Sequence, residues 1–428
     1  MSFQRKLLVV AMASVLPMAA AHAQSAADLQ KEIAALTAQL QALQKKVEAM
    51  SAVAPASAEI AQQVTRLEQK QELSENAFEA AGLKGLKLKG TIEAAYVYDD
   101  LAGSHTFAGR DGNGGNAMIE LTKETEDGQG VNWTLRLTPG AASLVHEATV
   151  SVGLGEGTRL LGGLIPDYQG YEGAFANQNL MLSHNALFDL AGPTSYTGLG
   201  MTHQLNKELA LKWMVGNIDG GNDTALGLKQ NAGLAYRFDW TLSEYTYLGF
   251  SGAHSGSGRQ FDVVAVDGGY VRGDWLLNGH LNFGQLKGGA YNGGDASWSG
   301  LSGLLGYKLS PRLQLLARAD FIENGKNGGG TYVSNYFGQT YDATATPGIL
   351  GGGLGPELDS SGALADQANP KGANLTRLSL GTNYLLNATT QWKAEVRFDQ
   401  SSGYNFQDQS GAFKKNQTTL GTSVVVAF

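Results

Sequence analysis

Strict alternation of apolar and charged residues is the feature that most restricts how this chain can fold. In the stretch TTQWKAEVRFDQ, apolar side chains take every second position and charged side chains take most of the positions between them. Successive side chains of a β-strand point to opposite faces, so the pattern predicts a strand with one apolar and one charged face. The apolar residues are Trp392, Ala394, Val396 and Phe398, and the charged ones are Lys393, Glu395, Arg397 and Asp399.

Segments with this pattern recur from residue 86 to the C-terminus, and their number and connections predict an architecture. We predict sixteen strands, at 86–98, 115–124, 129–138, 145–154, 157–165, 194–205, 208–217, 229–239, 242–252, 261–271, 273–286, 297–309, 312–323, 374–386, 390–400 and 415–428. Even-numbered strands lead into tight turns, such as WTL at 240–242, whereas odd-numbered strands lead into longer loops. An even strand number with this alternation is typical of an outer-membrane barrel, so we predict an all-β transmembrane barrel of sixteen antiparallel strands over 86–428.

A soluble β-sandwich or solenoid would also alternate, so the barrel needs further support. Beyond the N-terminus, no apolar run reaches the ~18 residues of a membrane helix, and a spanning chain must then form a closed barrel. The second face of the strands is densely charged, and the chain carries an export signal. Aromatic residues near the strand ends of the apolar face also favour a barrel: Tyr96, Tyr98, Trp133, Trp275, Trp298 and Tyr384.

Residues 1–23 have the organisation of a secretory signal peptide. Arg5 and Lys6 form the charged region, Leu7–Leu16 the apolar core, and Ala21-His22-Ala23 the cleavage site. The chain has no Cys, so disulfides do not stabilise the exported protein. Cleavage of the signal peptide would remove Arg5 and Lys6 and change the net charge from −8 to −10, which argues against nucleic acid as a partner.

Residues 24–50 predict a coiled-coil helix with a heptad seam. The seam residues recur at spacings of four and three: Leu29, Ile33, Leu36, Leu40, Leu43, Val47 and Met50. Pro55 interrupts this pattern within a segment, 51–85, that comprises a linker and a second, weaker helical stretch. We interpret the helix as an oligomerising periplasmic stalk. The alternative is a helical hairpin within one subunit that folds back at Pro55.

The loop at 166–193 is the candidate constriction of the barrel. It combines apolar anchors with Asp167, Glu172 and Asp189, which is typical of a loop that lies on the inner wall. Alternatively, it packs over the mouth. Wall arginines predicted to face the lumen complete the candidate constriction: Arg136, Arg159, Arg318, Arg377 and Arg397. Arg318, Arg377 and Arg397 lie on three successive strands and, facing the loop carboxylates, would create a transverse field. They could also pair with carboxylates along the wall.

These features together resemble the trimeric, sixteen-stranded porins of Gram-negative outer membranes. The passage from GGLIPDYQGYEGAF to GPTSYTGLG resembles porin families with an N-terminal coiled coil, including the phosphate and polyphosphate type. The resemblance implies a homotrimer in the outer membrane, in contact with lipid and lipopolysaccharide, with the coiled coil in the periplasm. It also implies that the terminal Phe428 is the signal that the barrel-assembly machinery recognises.

We therefore predict a water-filled channel for passive diffusion of small hydrophilic solutes and ions. A substrate-specific channel for anions such as phosphate, or for carbohydrates, is the alternative. An outer-membrane barrel enzyme is a remote one, because the sequence has no GxSxG motif and no His pair at metal-ligand spacing. We accordingly expect no enzymatic activity, no cofactor and no metal.

Overall fold

The computed structural model describes residues 85–101, 103–108, 117–125, 130–139, 144–218, 232–256, 260–332 and 354–428. The predicted signal peptide, coiled coil and second helical stretch lie outside these residues. No helix within the described ranges is long and apolar enough to cross a bilayer.

Antiparallel strands make up most of the described chain. They are β1 (Leu86–Asp99), β2 (Ser104–Ala108), β3 (Ala117–Lys123), β4 (Val131–Leu137), β5 (Val145–Gly155), β6 (Thr158–Pro166), β7 (Ser195–Gln204), β8 (Leu209–Ile218), β9 (Ala232–Ser243), β10 (Thr246–Ser255), β11 (Phe261–Arg272), β12 (Trp275–Leu286), β13 (Ala296–Lys308), β14 (Leu313–Glu323), β15 (Leu375–Asn387), β16 (Thr390–Ser401), β17 (Phe406–Gln407), β18 (Phe413–Lys414) and β19 (Asn416–Ala427). The described residues also include the short helix α1 (Ala186–Leu190) and the 3₁₀ turns Ala176–Gln178 and Lys326–Gly328.

The sheet closes on itself because its last strand pairs with its first. β19 pairs with β1 from Thr91↔Ala427 to Asp99↔Thr419. On its other side, β1 pairs first with β3 and then with β2, so these two short strands share one position in the barrel. The result is a closed antiparallel barrel of sixteen strand positions, which confirms the predicted strand number. β17 and β18 form a separate hairpin in the last loop.

Two predicted connections differ from the structure. Residues 104–108 were predicted within the first loop but form β2, because they satisfy the backbone of β1 at Ala95–Asp99, which would otherwise be an open edge. The turn predicted at 240–242 lies instead at 243–246. Trp240 and Leu242 continue the outward apolar face of β9, so the strand extends through them.

The barrel has two unlike ends. Tight hairpins such as 156–157, 205–208 and 273–274 join strands at the end that we call the short-turn end. The connections 167–194, 324–374 and 402–415 join strands at the other, the long-loop end. The outward face is apolar, with exposed Leu378, Leu380 and Phe398, whereas their neighbours Arg377 and Arg397 point inward and are buried. This arrangement gives an apolar surface to lipid.

The inward face is less uniformly polar than the sequence predicts. At the long-loop end, inward residues such as Ile218, Phe261 and Ile322 form one buried apolar cluster with Leu187 of α1 and with Tyr332, Leu354 and Phe406 of other loops. Trp298, predicted on the outer face, belongs to this cluster and is only 4 % exposed. It shares the inward parity of Ser302, and its indole nitrogen donates to the Ala191 carbonyl at 3.2 Å.

Candidate pore constriction

The connection between β6 and β7 lies inside the barrel rather than over its mouth. Its backbone and side chains bond to inward residues of β9, β12, β13, β14, β15 and β16. For example, the Arg237 guanidinium donates to the Tyr168 carbonyl at 2.7 Å, and the Asn282 amide donates to Gln169 at 2.8 Å. The lumen is wide enough to hold such a segment because sixteen strands leave an open interior.

Arg318 of β14 binds the loop at three residues. Its guanidinium donates to the Glu172 carboxylate at 2.9 Å, the Ser183 carbonyl at 2.8 Å and the His184 carbonyl at 2.7 Å. The side chain is 0 % exposed. Arg318 therefore acts as an anchor that fixes both limbs of the loop to the wall.

Arg377 of β15 forms the neighbouring anchor. It donates to Asp189 at 2.8 Å and to the His184 carbonyl at 3.1 Å, and within the wall to Asp399 at 2.7 Å. Arg397 of β16 lies beside it, 3.1 Å from Asp399, and is 5 % exposed. This arginine contacts a wall carboxylate rather than one from the loop.

Two further residues of β16, Lys393 and Glu395, bind backbone groups of the loop. The Glu395 carboxylate accepts from the backbone nitrogens of Leu182 and Ser183, both at 2.8 Å. The Lys393 ammonium donates to the carbonyls of Ala176 and Asn179, at 2.6 and 2.5 Å. The loop is thus bound to this wall by charged groups that are themselves buried, where such hydrogen bonds are strong.

These contacts correct the predicted transverse field at this wall. Arg318 and Arg377 do not face the loop carboxylates across water, because they contact Glu172 and Asp189 directly. The loop covers them, and their charge stabilises its position. Pairing along the wall, the alternative, describes the contacts of Arg377 and Arg397 with Asp399.

The other side of the loop reaches the opposite wall through two aromatic rings. The Arg136 guanidinium of β4 lies 5.6 Å from the ring centroid of Phe175, and the Lys212 ammonium of β8 lies 4.7 Å from that of Tyr168. Burial raises the pKa of the Tyr168 hydroxyl, so the phenol stays protonated. Cation–π contacts of this kind are weak compared with the buried ion pairs of the first wall.

The remaining predicted constriction residues lie on this second side. Arg136 pairs with Glu120 and Glu147 across neighbouring strands and is partly exposed. Arg159 donates to the Ser151 hydroxyl at 3.0 Å and to the Gly130 carbonyl at 2.9 Å. Asp167 accepts from the Tyr196 hydroxyl and from the Gln169 nitrogen. The structure thus brings Glu172, Asp189, Arg318 and Arg377 together and leaves Arg136, Arg159 and Asp167 apart from them.

A cavity of about 580 Å³ opens beside Arg159, at the short-turn end of β5–β9. Its inward-facing polar lining includes Arg159, Thr202, Lys212 and Asp239. Lys212 and Tyr168 are not among the predicted constriction residues. The sequence carries no signal for their contact because the two residues, one on a strand and one in a loop, are 44 positions apart and share no pattern.

Three adjacent strands of the inner wall carry a row of cross-strand neighbours that includes a serine, a histidine and an aspartate: Ser302, His280 and Asp267. They are not connected as a nucleophile, base and acid. Ser302 donates to Asp320 at 2.7 Å, and Arg237 binds Asp267 through two nitrogens. Both His280 ring nitrogens are buried with no hydrogen-bond partner in the part of the chain that the structure describes. Nucleophilic catalysis requires hydrogen bonds between these groups, so the row gives no support for an enzyme.

The C-terminal Phe428 lies at the short-turn end, where the barrel closes. Its backbone exchanges hydrogen bonds with Gly90 of β1, at 2.8 and 3.0 Å. The ring is 60 % exposed and lies over Gly90, where a Cβ atom would come within 2.2 Å of it. Glycine at position 90 therefore makes room for the terminal ring on the outer face.

A closed sixteen-strand barrel with an apolar outer face and a loop folded into its lumen defines an outer-membrane channel of the porin class. The chain belongs to the family described as "Putative beta-barrel porin-2, OmpL-like", whose model matches residues 85–428. Comparison with curated proteins gave no match.

Solved structures share the fold at low sequence identity. An anion-selective porin from Comamonas acidovorans is 11 % identical, with a TM-score of 0.53 over 80 % of this chain and 99 % of that chain. OmpT, an outer membrane protein of Vibrio cholerae, is 10 % identical, with a TM-score of 0.52 over 80 % of this chain and 97 % of that chain. At such identities, the similarity extends to the fold alone.

Proposed function

We propose that this porin conducts small hydrophilic solutes and ions passively, through a water path that follows the β4–β9 wall rather than the whole lumen. This proposal rests on the difference between the contacts that the loop makes with the two sides of the barrel. Buried ion pairs fix it to β14 and β15, whereas its contacts with the cations of β4 and β8 are the cation–π contacts of Phe175 and Tyr168. The open cavity also lies on the β5–β9 side.

Packed apolar side chains occupy part of the lumen. The apolar cluster lies in the long-loop half and runs from Ile165 of β6 to Leu375 of β15, and a second cluster of Met181, Leu304 and Leu316 lies along β13 and β14. Hydrated ions avoid apolar, tightly packed regions because such contacts do not replace their water. Size and charge sieving would then depend on Arg136, Arg159, Asp167 and Lys212 rather than on Arg318 and Arg377.

The short length of strand β4 supports a homotrimer. That strand has 7 residues, Val131–Leu137. At about 3.3 Å per residue and a tilt near 40°, a strand of this length covers about 18 Å, less than the ~25 Å apolar band of an outer-membrane barrel. A neighbouring barrel at this wall would shield the uncovered band from lipid. The signal peptide, the periplasmic coiled coil, contact with lipopolysaccharide and recognition of Phe428 by the assembly machinery belong to the same proposal.

Conductance of the purified protein in planar bilayers tests the channel directly. We expect stepwise insertion of ohmic channels in KCl, and a reversal potential in a salt gradient gives the ion preference. A preference for carbohydrates would appear instead as block of the ionic current by added sugar. Correctly folded protein that inserts without any conductance would contradict the proposal.

A further inference from the structure

Lys212 differs from the other inward cations of the barrel wall. Its ammonium has no hydrogen bond or ion pair with any described residue, and it lies instead over the face of Tyr168. By contrast, Arg136, Arg237 and Arg318 each bind at least one carboxylate within 3.0 Å. Asp239 and Asp167 attract Lys212 electrostatically without forming a direct ion pair with it. A charge held at an aromatic face without a direct ion pair retains an attraction for anions.

The surroundings of Lys212 provide space and further donors. It lines the cavity of about 580 Å³ together with Arg159 and with Thr202, its direct cross-strand neighbour on β7. Two carboxylates, Asp239 and Glu156, also line this cavity. Asp239 already accepts from Arg237 at 2.6 Å, and Glu156 lies on the exposed turn between β5 and β6.

We propose that this cavity is a binding site for a small oxyanion, a carboxylate or phosphate group, on the path through the channel. The Lys212 ammonium supplies the charge, the Thr202 hydroxyl supplies a neutral donor, and Arg159 adds a second positive charge nearby. A site whose cation lacks a direct ion pair but has carboxylates nearby binds weakly enough to release the anion, as conduction requires. This inference rests on the proposed channel function.

The test measures block of chloride current by inorganic phosphate and, separately, by acetate, with full-length protein in planar bilayers. Lys212→Gln should raise the concentration for half-maximal block about tenfold, as expected for loss of one screened charge contact. Lys89→Gln is the matched control, because Lys89 also faces the lumen but is 63 % exposed and pairs with Glu120. It should change the block less than about twofold, because exposed pairs are screened.

A second variant guards against misfolding of Lys212→Gln. Thr202→Asp keeps the lysine but places a carboxylate opposite it, and this variant should weaken the block at least as much as Lys212→Gln. Stronger block by phosphate than by acetate would assign the site to phosphate groups, and the reverse to carboxylates. Conducting channels whose block is unchanged in both variants would overturn the site and leave the channel intact, whereas absence of conductance in the wild type would overturn the channel itself.

Discussion

Arg318→Ala should release the inner loop without opening the barrel. Arg318 donates to three loop residues, Glu172, Ser183 and His184. The Glu172 carboxylate is only 3 % exposed and Asp320, the other carboxylate that Arg318 contacts, is 0 % exposed, so the substitution leaves both buried without this arginine. Removing one partner of a buried ion pair costs about 3–5 kcal/mol.

This cost mainly reduces the free-energy difference between the docked and the detached loop. The strand pairing of β13–β15 around residue 318 does not depend on the side chain, so the barrel should keep its fold. With tenfold for each ~1.4 kcal/mol, the population with a detached loop should rise by roughly two to four orders of magnitude. Amide exchange at 172–190 should accelerate by a similar factor, and single-channel conductance should increase and become noisier.

Arg397→Ala is the matched control for this prediction. Arg397 is a buried arginine two strands away, but its ion pair is with Asp399 of the wall rather than with the loop. It should leave exchange at 172–190 close to that of the wild type. Equal exchange and equal conductance in the two variants would refute the view that Arg318 anchors the loop.

Three further perturbations follow from the same structure. Gly90→Val should displace the Phe428 ring and lower the yield of assembled, heat-resistant barrel, and normal assembly would contradict the role given to that ring. Trp298→Phe removes the indole donor to the Ala191 carbonyl and should destabilise the loop by about 1–2 kcal/mol, measured by exchange at 186–191. Asp408, in the last outer loop, has its pKa lowered to about 2 by the Ser410 hydroxyl and nearby backbone nitrogens. Because the pKa of Asp408 is depressed in the folded state, the ionised carboxylate contributes its full stabilisation above the ordinary carboxyl range, and this stabilisation is lost as pH falls towards 2. NMR shifts of the β17–β18 hairpin should therefore change only below about pH 4.

The strands and their facing could be predicted from the sequence because alternation is a local property. A residue such as Arg397 points inward whenever Phe398 points outward, whatever the rest of the chain does. The same rule fails where both faces are apolar. Trp298 was assigned to the lipid face because aromatic residues cluster there, yet it faces an apolar lumen that the sequence pattern does not reveal.

The position of the loop against the wall could not be predicted. Arg318 and Glu172 are 146 positions apart, and Ser183 and Glu395 are 212 apart. No periodicity relates such residues, since their contact depends on how the loop folds inside the closed barrel. The sequence therefore predicts that these charged side chains face inward. It does not predict which of them the loop buries and which face the proposed water path.

The central claim is that water and ions pass along the β4–β9 side of the loop, and single cysteines test it most directly. The chain has no Cys, so Thr149→Cys and Thr202→Cys on that side can be compared with Ser379→Cys, which is 1 % exposed on the opposite wall. A cationic thiosulfonate reagent applied to open channels should reduce conductance at positions 149 and 202 and leave the variant at 379 unchanged. Modification at 379 as rapid as at 202 would contradict the proposed path.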